Sequence, residues 1–337
     1  MKKISILVLV ILLMPVACFG GSKAGTATAQ FLKISVGARA VGMGEAFVAI
    51  SNDALALYWN PAGLVNSEKV NFTATHTQWF ADLAHGFTGV VVPFGDNALG
   101  LGATFLNSGE IEITTLQEQD GTGIYYSASD LAIGLSYSRM LTDRFSAGIT
   151  GKFIQQSIYH ESATGFGVDV GTLLLTGFHG LKIGMSLSNF GTEMKLDGRD
   201  LIVPYNPGGD IAITPDVQAK QSTEAWPLPM NFRVGIAMDI IGGPDSFFPG
   251  KVSRLTLAMD GIHPTDNVER GNMGAEYAWN EKFFARIGYK YNYDEEGLTC
   301  GCGFKPVIGQ ARMSIDYAVA DFGILGLVHC FTMSFVL

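Results

Sequence analysis

FSAGITGKF, Phe145 to Phe153, alternates with a strict period of two. Phe145, Ala147, Ile149, Gly151 and Phe153 fall on one side of an extended chain, and Ser146, Gly148, Thr150 and Lys152 fall on the other. The same division recurs in Phe232, Val234, Ile236 and Met238 against Arg233, Gly235, Ala237 and Asp239. It appears again in Phe283, Ala285, Ile287, Tyr289 and Tyr291 against Phe284, Arg286, Gly288 and Lys290. Charge keeps to one parity, with most of the glycine, so a slip of one residue would turn every charge toward the apolar side. Strands of about ten residues with this contrast have the length that a tilted membrane-crossing strand needs.

About fourteen such segments can be counted, an even number as closed bacterial barrels require. They begin near Lys69, His85, Asn97, Tyr125, Asp143, Ala163, Gly180, Leu228, Val252, Glu269, Lys282, Leu298, Gln310 and Leu327. The connections at Phe94 to Asn97, Leu141 to Asp143, Thr176 to Gly180 and Trp279 to Lys282 are tight, whereas Asn107 to Ile124 and Gly191 to Pro227 are long. With the N-terminus in the periplasm, the tight turns fall on the periplasmic side and the long loops outside. The expected fold is therefore all-β, a transmembrane antiparallel barrel. Residues 191–227, with Pro204, Pro207, Gly208 and Gly209, lack usable periodicity and read as one long loop.

The formal charge of -9 leaves no basic stripe to neutralise phosphates, which excludes nucleic acid as a partner. After residue 20 no run of about 18 apolar residues appears, so no helix is expected to span a membrane. A large exported β-sandwich would share this dispersed hydrophobicity; the recurring alternation decides for the barrel. At the start, Lys2 and Lys3 precede an apolar run from Ile4 to Phe19, the pattern of an export signal cleaved near Gly20. Cys18 raises a lipoprotein reading, but Pro15 stands where a lipobox needs a branched aliphatic. The expected division is a signal over 1–20, a plug segment over 21–68 inside the barrel, and the barrel over 69–337.

The stretch GARAVGMGEAFVAISNDALALYWNPAGL, Gly37 to Leu64, is neither a good strand nor a clean helix. Gly37, Gly42, Gly44 and Gly63 permit tight turns and close approach, Asp53 is a candidate cap, and Asn60 before Pro61 favours a turn. Short apolar turns at Glu45 to Ser51 and Ala54 to Trp59 suit a packed plug. In that low-dielectric setting Arg39 needs a carboxylate partner. These residues, from Gly37 and Arg39 through Asp53 to Trp59, Asn60, Pro61 and Gly63, resemble the N-terminal signature of the PorV/PorQ family, a branch of the FadL-like outer-membrane barrels. Asp321, Phe322, Gly323, Leu325 and Gly326 before a final alternating strand resemble that family's closing segment. The last strand, Leu327 to Leu337, resembles the signal read by the barrel-assembly machinery, with Leu337 in place of the usual terminal aromatic.

Catalytic chemistry is sparse. The six histidines are scattered without metal spacing, and none has a Ser and an acid at a motif. Cys300, Cys302 and Cys330 read as packing residues, and no cofactor is indicated. The inward parity carries Arg233, Asp239, Arg254, Asp260, Glu276 and Arg286. In an antiparallel hairpin, residues directly opposite have a constant number sum, so one register sets Asp239 against Arg254 and Arg233 against Asp260. The next hairpin, turning at Asn280 and Glu281, brings Glu276 near Arg286. Two functions of different class remain open, both non-enzymatic and both in the outer membrane in contact with its lipid. Resemblance to PorV implies a type IX secretion component that receives or tethers exported proteins. Resemblance to FadL implies a channel for long-chain fatty acids or other hydrophobic compounds.

Overall fold

In the computed structural model, residues 24–206, 217–308 and 311–337 are described. The expected signal with Cys18 and its cleavage near Gly20 lies outside them, as does the middle of the 191–227 stretch. Fourteen strands make the wall: β1 (Asn71–Gln78), β2 (Ala84–Phe94), β3 (Asn97–Asn107), β4 (Ala128–Thr142), β5 (Phe145–Ile158), β6 (Glu161–Leu175), β7 (Lys182–Gly191), β8 (Asn231–Gly242), β9 (Ser253–Pro264), β10 (Arg270–Trp279), β11 (Phe283–Tyr291), β12 (Leu298–Phe304), β13 (Ala311–Asp321) and β14 (Leu327–Val336). Each begins within three residues of its expected start. Every strand pairs antiparallel with the next. β14 then returns to β1 with Asn71 opposite Val336. The barrel is closed, and its backbone has no open edge.

The two parities separate as alternation demands. Leu99, Leu101, Leu135, Ile149 and Ile287 stand exposed on the outer surface, where lipid would cover them, while Thr73, Ser138, Thr150 and Glu276 are buried on the inner one. No described helix is long and apolar enough to cross a membrane.

Two connections differ from the alternation of tight and long. β5 passes to β6 through Tyr159 and His160 alone, at the long-loop end, with Tyr159 in the left-handed region at φ 54°. Residues 243–252, at the opposite end, form a longer excursion in which Phe248–Pro249 pairs with Ile241 and Gly242. The described parts of the 191–227 stretch also carry strand pairing that a plain loop lacks. Met194–Lys195 pairs with Ala225–Trp226, Ile202–Tyr205 with Val217–Lys220, and Asp197–Gly198 adds to the rim of β6. Ladders of two to four residues are too short to leave a legible period in sequence.

The segment before β1 lies against the inward parity and travels around it. Thr28 and Ala29 bond Gln156 near the end of β5, and Lys33 reaches Asp266 between β9 and β10, all at the long-loop end. A short helix, Ala38–Gly42, then sits on β11 to β14, where the Ala38 N–H donates to Thr332 at 2.8 Å. Met43 and Gly44 press on β10 and β11, Val48 on β7 and β8, Leu57 on β2 and β3, and Pro61 on β5. A glycine marks each crossing: Gly301, Gly288, Gly274, Gly235, Gly184, Gly148, Gly100 and Gly89 leave the room that a side chain would occupy. At Gly44, with φ at +61°, a Cβ would stand 2.7 Å from the Tyr289 nitrogen and 2.8 Å from the Met273 carbonyl oxygen.

This contact is testable from either side. Gly44→Val and Gly288→Val each force one backbone off the other, and overpacking of this kind costs on the order of 1–3 kcal/mol. Both variants should unfold at lower urea concentration than the parent in vesicles. A parent-like midpoint for both would show that the segment does not rest on the β10–β11 hairpin.

Candidate functional site

The turns of the N-terminal segment place its polar groups where the wall has partners for them. Gly37, at φ 90°, precedes the first helix in a conformation that glycine adopts freely, and a Cβ there would strike Leu55. Arg39 on that helix extends to Glu276 of β10, Nε to Oε2 at 3.0 Å, and also meets Asp53 and Asn52 within the segment. Asp53 accepts the Leu55 N–H at 2.9 Å, which starts the turn leading into a second helix, Ala56–Trp59. The Trp59 indole donates to the Val36 carbonyl at 2.8 Å, and its ring packs edge-on to Phe47. Asn60 caps the 3-10 turn beginning at Pro61: its Oδ1 accepts from Ala62, while its Nδ2 donates to the carbonyls of Val48 and Thr172. Gly42 lies on Gly301, and Gly63 fits under the Ser51 carbonyl.

Glu276 is the hub of one polar cluster. It is fully buried and receives Arg39, Arg254 at 3.0 Å and Arg286 at 2.7 Å, while Arg286 also holds Asp316 at 2.6 Å. Glu276 and Arg286 are direct cross-strand partners, in the register set by the turn at Asn280 and Glu281. Burial alone would discourage the charge on Arg39, but Glu276 and Asp53 outweigh it and hold the guanidinium pKa above its ordinary value. A second cluster is built on Glu45, which meets Ser35 and Lys290, with Glu296 on the same ammonium. Burial pushes the Glu45 carboxyl up, yet Lys290 and Ser35 bring it below the usual range.

The two other expected pairs do not form. β8 and β9 meet with Asp239 opposite Thr256 and Gly235 opposite Asp260, a register two residues from the one that would join Asp239 to Arg254 and Arg233 to Asp260. A two-residue slide preserves which face each side chain occupies, so alternation cannot distinguish the two registers. A bulge between Asp239 and Ile241 shifts the ladder again. Asp260 instead accepts the backbone N–H groups of Phe47 and Val48 at 2.9 and 3.0 Å. Asp239 takes the Thr256 hydroxyl, Arg254 goes to Glu276 and Glu281, and Arg233 lies over the Trp59 ring, 4.8 Å from its centroid.

Above the Glu45 cluster, at the long-loop end, a cavity of about 320 Å³ opens between the segment and the wall. Trp79 and Phe322, in edge contact at 5.1 Å between centroids, form part of its apolar side. Arg233 and Arg270 form part of the other. Arg270 shares the inward parity of Glu276 on its strand but was not among the expected site residues.

Comparison with known proteins locates this architecture. The family model for the type IX secretion system protein PorV matches residues 21–248. Among solved structures, the CymD monoaromatic hydrocarbon channel is similar with a TM-score of 0.55 at 12% identity, covering 90% of this chain and 96% of that one. The Ralstonia pickettii toluene transporter TbuX gives 0.55 at 13% identity over 89% and 97%. The Pseudomonas putida toluene transporter TodX gives 0.54 at 10% over 90% and 96%. At such identities these likenesses concern the fold. No curated protein matches the sequence.

Two outcomes follow from the ion pairs. Glu276→Gln removes the shared carboxylate of three guanidiniums, leaving Arg39 with Asp53, Arg254 with Glu281 and Arg286 with Asp316, and should lower unfolding stability by about 3 kcal/mol in urea titrations; a loss under about 1 kcal/mol would remove Glu276 from its role as hub. Asp266 is opposed by burial but held below its ordinary value by the Gln30 amide and the Lys33 ammonium. Its stabilisation is therefore complete above the unfolded carboxylate value of about 4 and is lost as pH falls through the lower folded value. Protease access to residues 24–33 should rise in that acid window and become pH-independent there in Asp266→Asn. An unchanged profile in the variant would assign the acid response elsewhere.

Proposed function

The chain belongs to the PorV family, and from that premise we propose that it is a non-enzymatic outer-membrane component of type IX secretion that receives or tethers exported proteins. The observation that supports this reading is the set of ion pairs between the N-terminal segment and the inward face of the wall. The segment over residues 24–68 acts as a plug, tied to the wall by Arg39 on Glu276 and Glu45 on Lys290. A greasy axial tunnel would leave those charges without support, whereas a closed scaffold gives each a partner. The work of such a barrel then falls to its long-loop end, which carries the loop between β3 and β4 and the connection between β7 and β8.

A second reading, passage of long-chain fatty acids or other hydrophobic compounds, draws on the fold shared with hydrocarbon channels and on the cavity beside Trp79 and Phe322. It requires a route through the wall, because the axis is obstructed by the plug.

The experiments separate the two. In cells that run type IX secretion, in-membrane cross-linking from the long loops should capture exported proteins; capture of none would sink the first reading. Deletion of residues 38–66 should raise single-channel conductance in planar bilayers over that of the parent barrel. Equal conductance would mean that the segment is not the plug.

A further inference from the structure

The rim of the barrel is not level, and its highest part carries contacts that neither the plug nor the closed wall requires. β4, β5 and β6 have 15, 14 and 15 residues, against eight in β1 and seven in β12. At about 2.5 Å of height per residue for a strand tilted near 40°, β5 rises about 35 Å, whereas an apolar band is about 25 Å tall. The outward parity marks where lipid stops. Leu131, Phe153 and Phe166 give way upward to Ser129, Gln155, Ser157, Ser162 and Thr164. The top of β4, β5 and β6 therefore stands in water.

On that crest a row of rings is held from both sides. Tyr126, in the β3–β4 connection, meets Tyr159 edge-on at 6.1 Å between centroids, and Tyr159 lies 3.6 Å from the His160 ring. His160 is fixed in turn by the β7–β8 connection, with Nδ1 2.7 Å from Asp200 and Nε2 against Arg199. The β3–β4 connection is an arm with its own ladder, Ile111–Glu112 on Tyr125–Tyr126, continued by the bond from the Ile113 N–H to the Ile124 carbonyl. Yet this face has no cover. Tyr159 is 49% exposed, Tyr125 52% and Ile124 57%. Tyr159 is also an awkward residue for its backbone: at φ 54°, glycine, asparagine or aspartate would make the two-residue turn with less strain than tyrosine.

Charge decides what fits there. The arm carries Glu110, Glu112, Glu118 and Asp120, with no lysine, arginine or histidine between Ser108 and Ser127. Glu112 accepts the Gly123 N–H, whereas among the described residues Glu110, Glu118 and Asp120 have no basic group within 4.0 Å. An anionic lipid surface is repelled by such an arm, and so is a second copy presenting the same face. A guanidinium or ammonium answers both features, since it pairs with carboxylates and stacks on tyrosine rings.

We propose that this crest is a docking surface for a basic segment of an exported protein, which lays arginine or lysine on Tyr126 and Tyr159 and meets the carboxylates of the arm. The inference rests on the secretion reading and gives its partner a chemistry. It makes no use of the cavity beside Trp79.

The test uses the full chain in nanodiscs of zwitterionic lipid and two probes of about ten residues, one alternating arginine with valine and the other glutamate with valine. In titration calorimetry the basic probe should bind at least about tenfold more tightly, and its affinity should fall between about 50 and about 500 mM salt as surface charge is screened. Joint replacement by Glu110→Gln, Glu118→Gln and Asp120→Asn should weaken it about tenfold, a few-fold for each exposed pair. Tyr159→Gly should weaken it about fivefold or more while keeping the heat-modifiable mobility of a folded barrel, because glycine suits the turn better than tyrosine. A tyrosine that served the turn alone would leave binding undiminished in that variant. Equal affinity for the two probes, binding of neither, or parent-like binding by Tyr159→Gly overturns the proposal. The comparison of probes needs no variant, so it stands even if a substitution prevents folding. Preference for the basic probe together with failure to capture exported proteins would sink the secretion reading and leave the docking surface; capture without any charge preference would sink the docking surface alone.

Discussion

Within hydrocarbon no water is available to bond a free N–H or C=O, so the sheet must close on itself, and the pairing of β14 with β1 is the contact on which everything else depends. Closure fixes two faces with opposite demands. The outer one must be apolar wherever lipid touches it, which uses every second side chain of each strand. The inner one is then free to carry what lipid would reject, and Glu276, Arg286, Asp260 and Lys290 all stand there.

The inner face is also shaped for a chain that passes over it. Where the segment's backbone crosses a strand, the wall presents glycine, and between those crossings it presents a charge or hydroxyl that bonds the segment: Thr332 for Ala38, Asp260 for Phe47 and Val48, Ser146 for the Ala62 carbonyl. Glycine removes volume and the polar neighbours supply direction. Together they hold a segment that has only two helices, of five and four residues, and too few internal hydrogen bonds to keep its shape alone.

The strands were legible because membrane-facing alternation is nearly unbroken in FSAGITGKF and its counterparts, and because in those stretches charge keeps to the inward parity. Glycine on the inward parity, at Gly148, Gly235 and Gly288, was visible too, and each proves to be a crossing point of the segment. Strand pairing was legible only where a short turn fixes it. The turn at Asn280 and Glu281 aligned Glu276 with Arg286, but ten residues separate β8 from β9, and charge complementarity across that gap selected a register two residues away from the true one. The helix at Ala38–Gly42 was hidden because two of the six residues from Gly37 are glycine, and it forms by packing on β11 to β14, not by propensity. Arg233 was expected to pair with an acid across the strands. What overrode that pairing was the segment's own backbone, whose N–H groups reach Asp260 first.

The segment precedes β1 in the chain yet takes hold of β10, β11 and β14, so its wall contacts need strands that lie near the other end of the chain. Arg39 and Glu45 have Asp53 and Ser35 beside them in the segment, but their wall partners Glu276 and Lys290, like Thr332 for Ala38, are made more than two hundred residues later. Until then Phe47 and Trp59, both destined to be fully buried, are exposed to water. The seam strand therefore serves twice: it completes the wall and, through Thr332, holds the first helix.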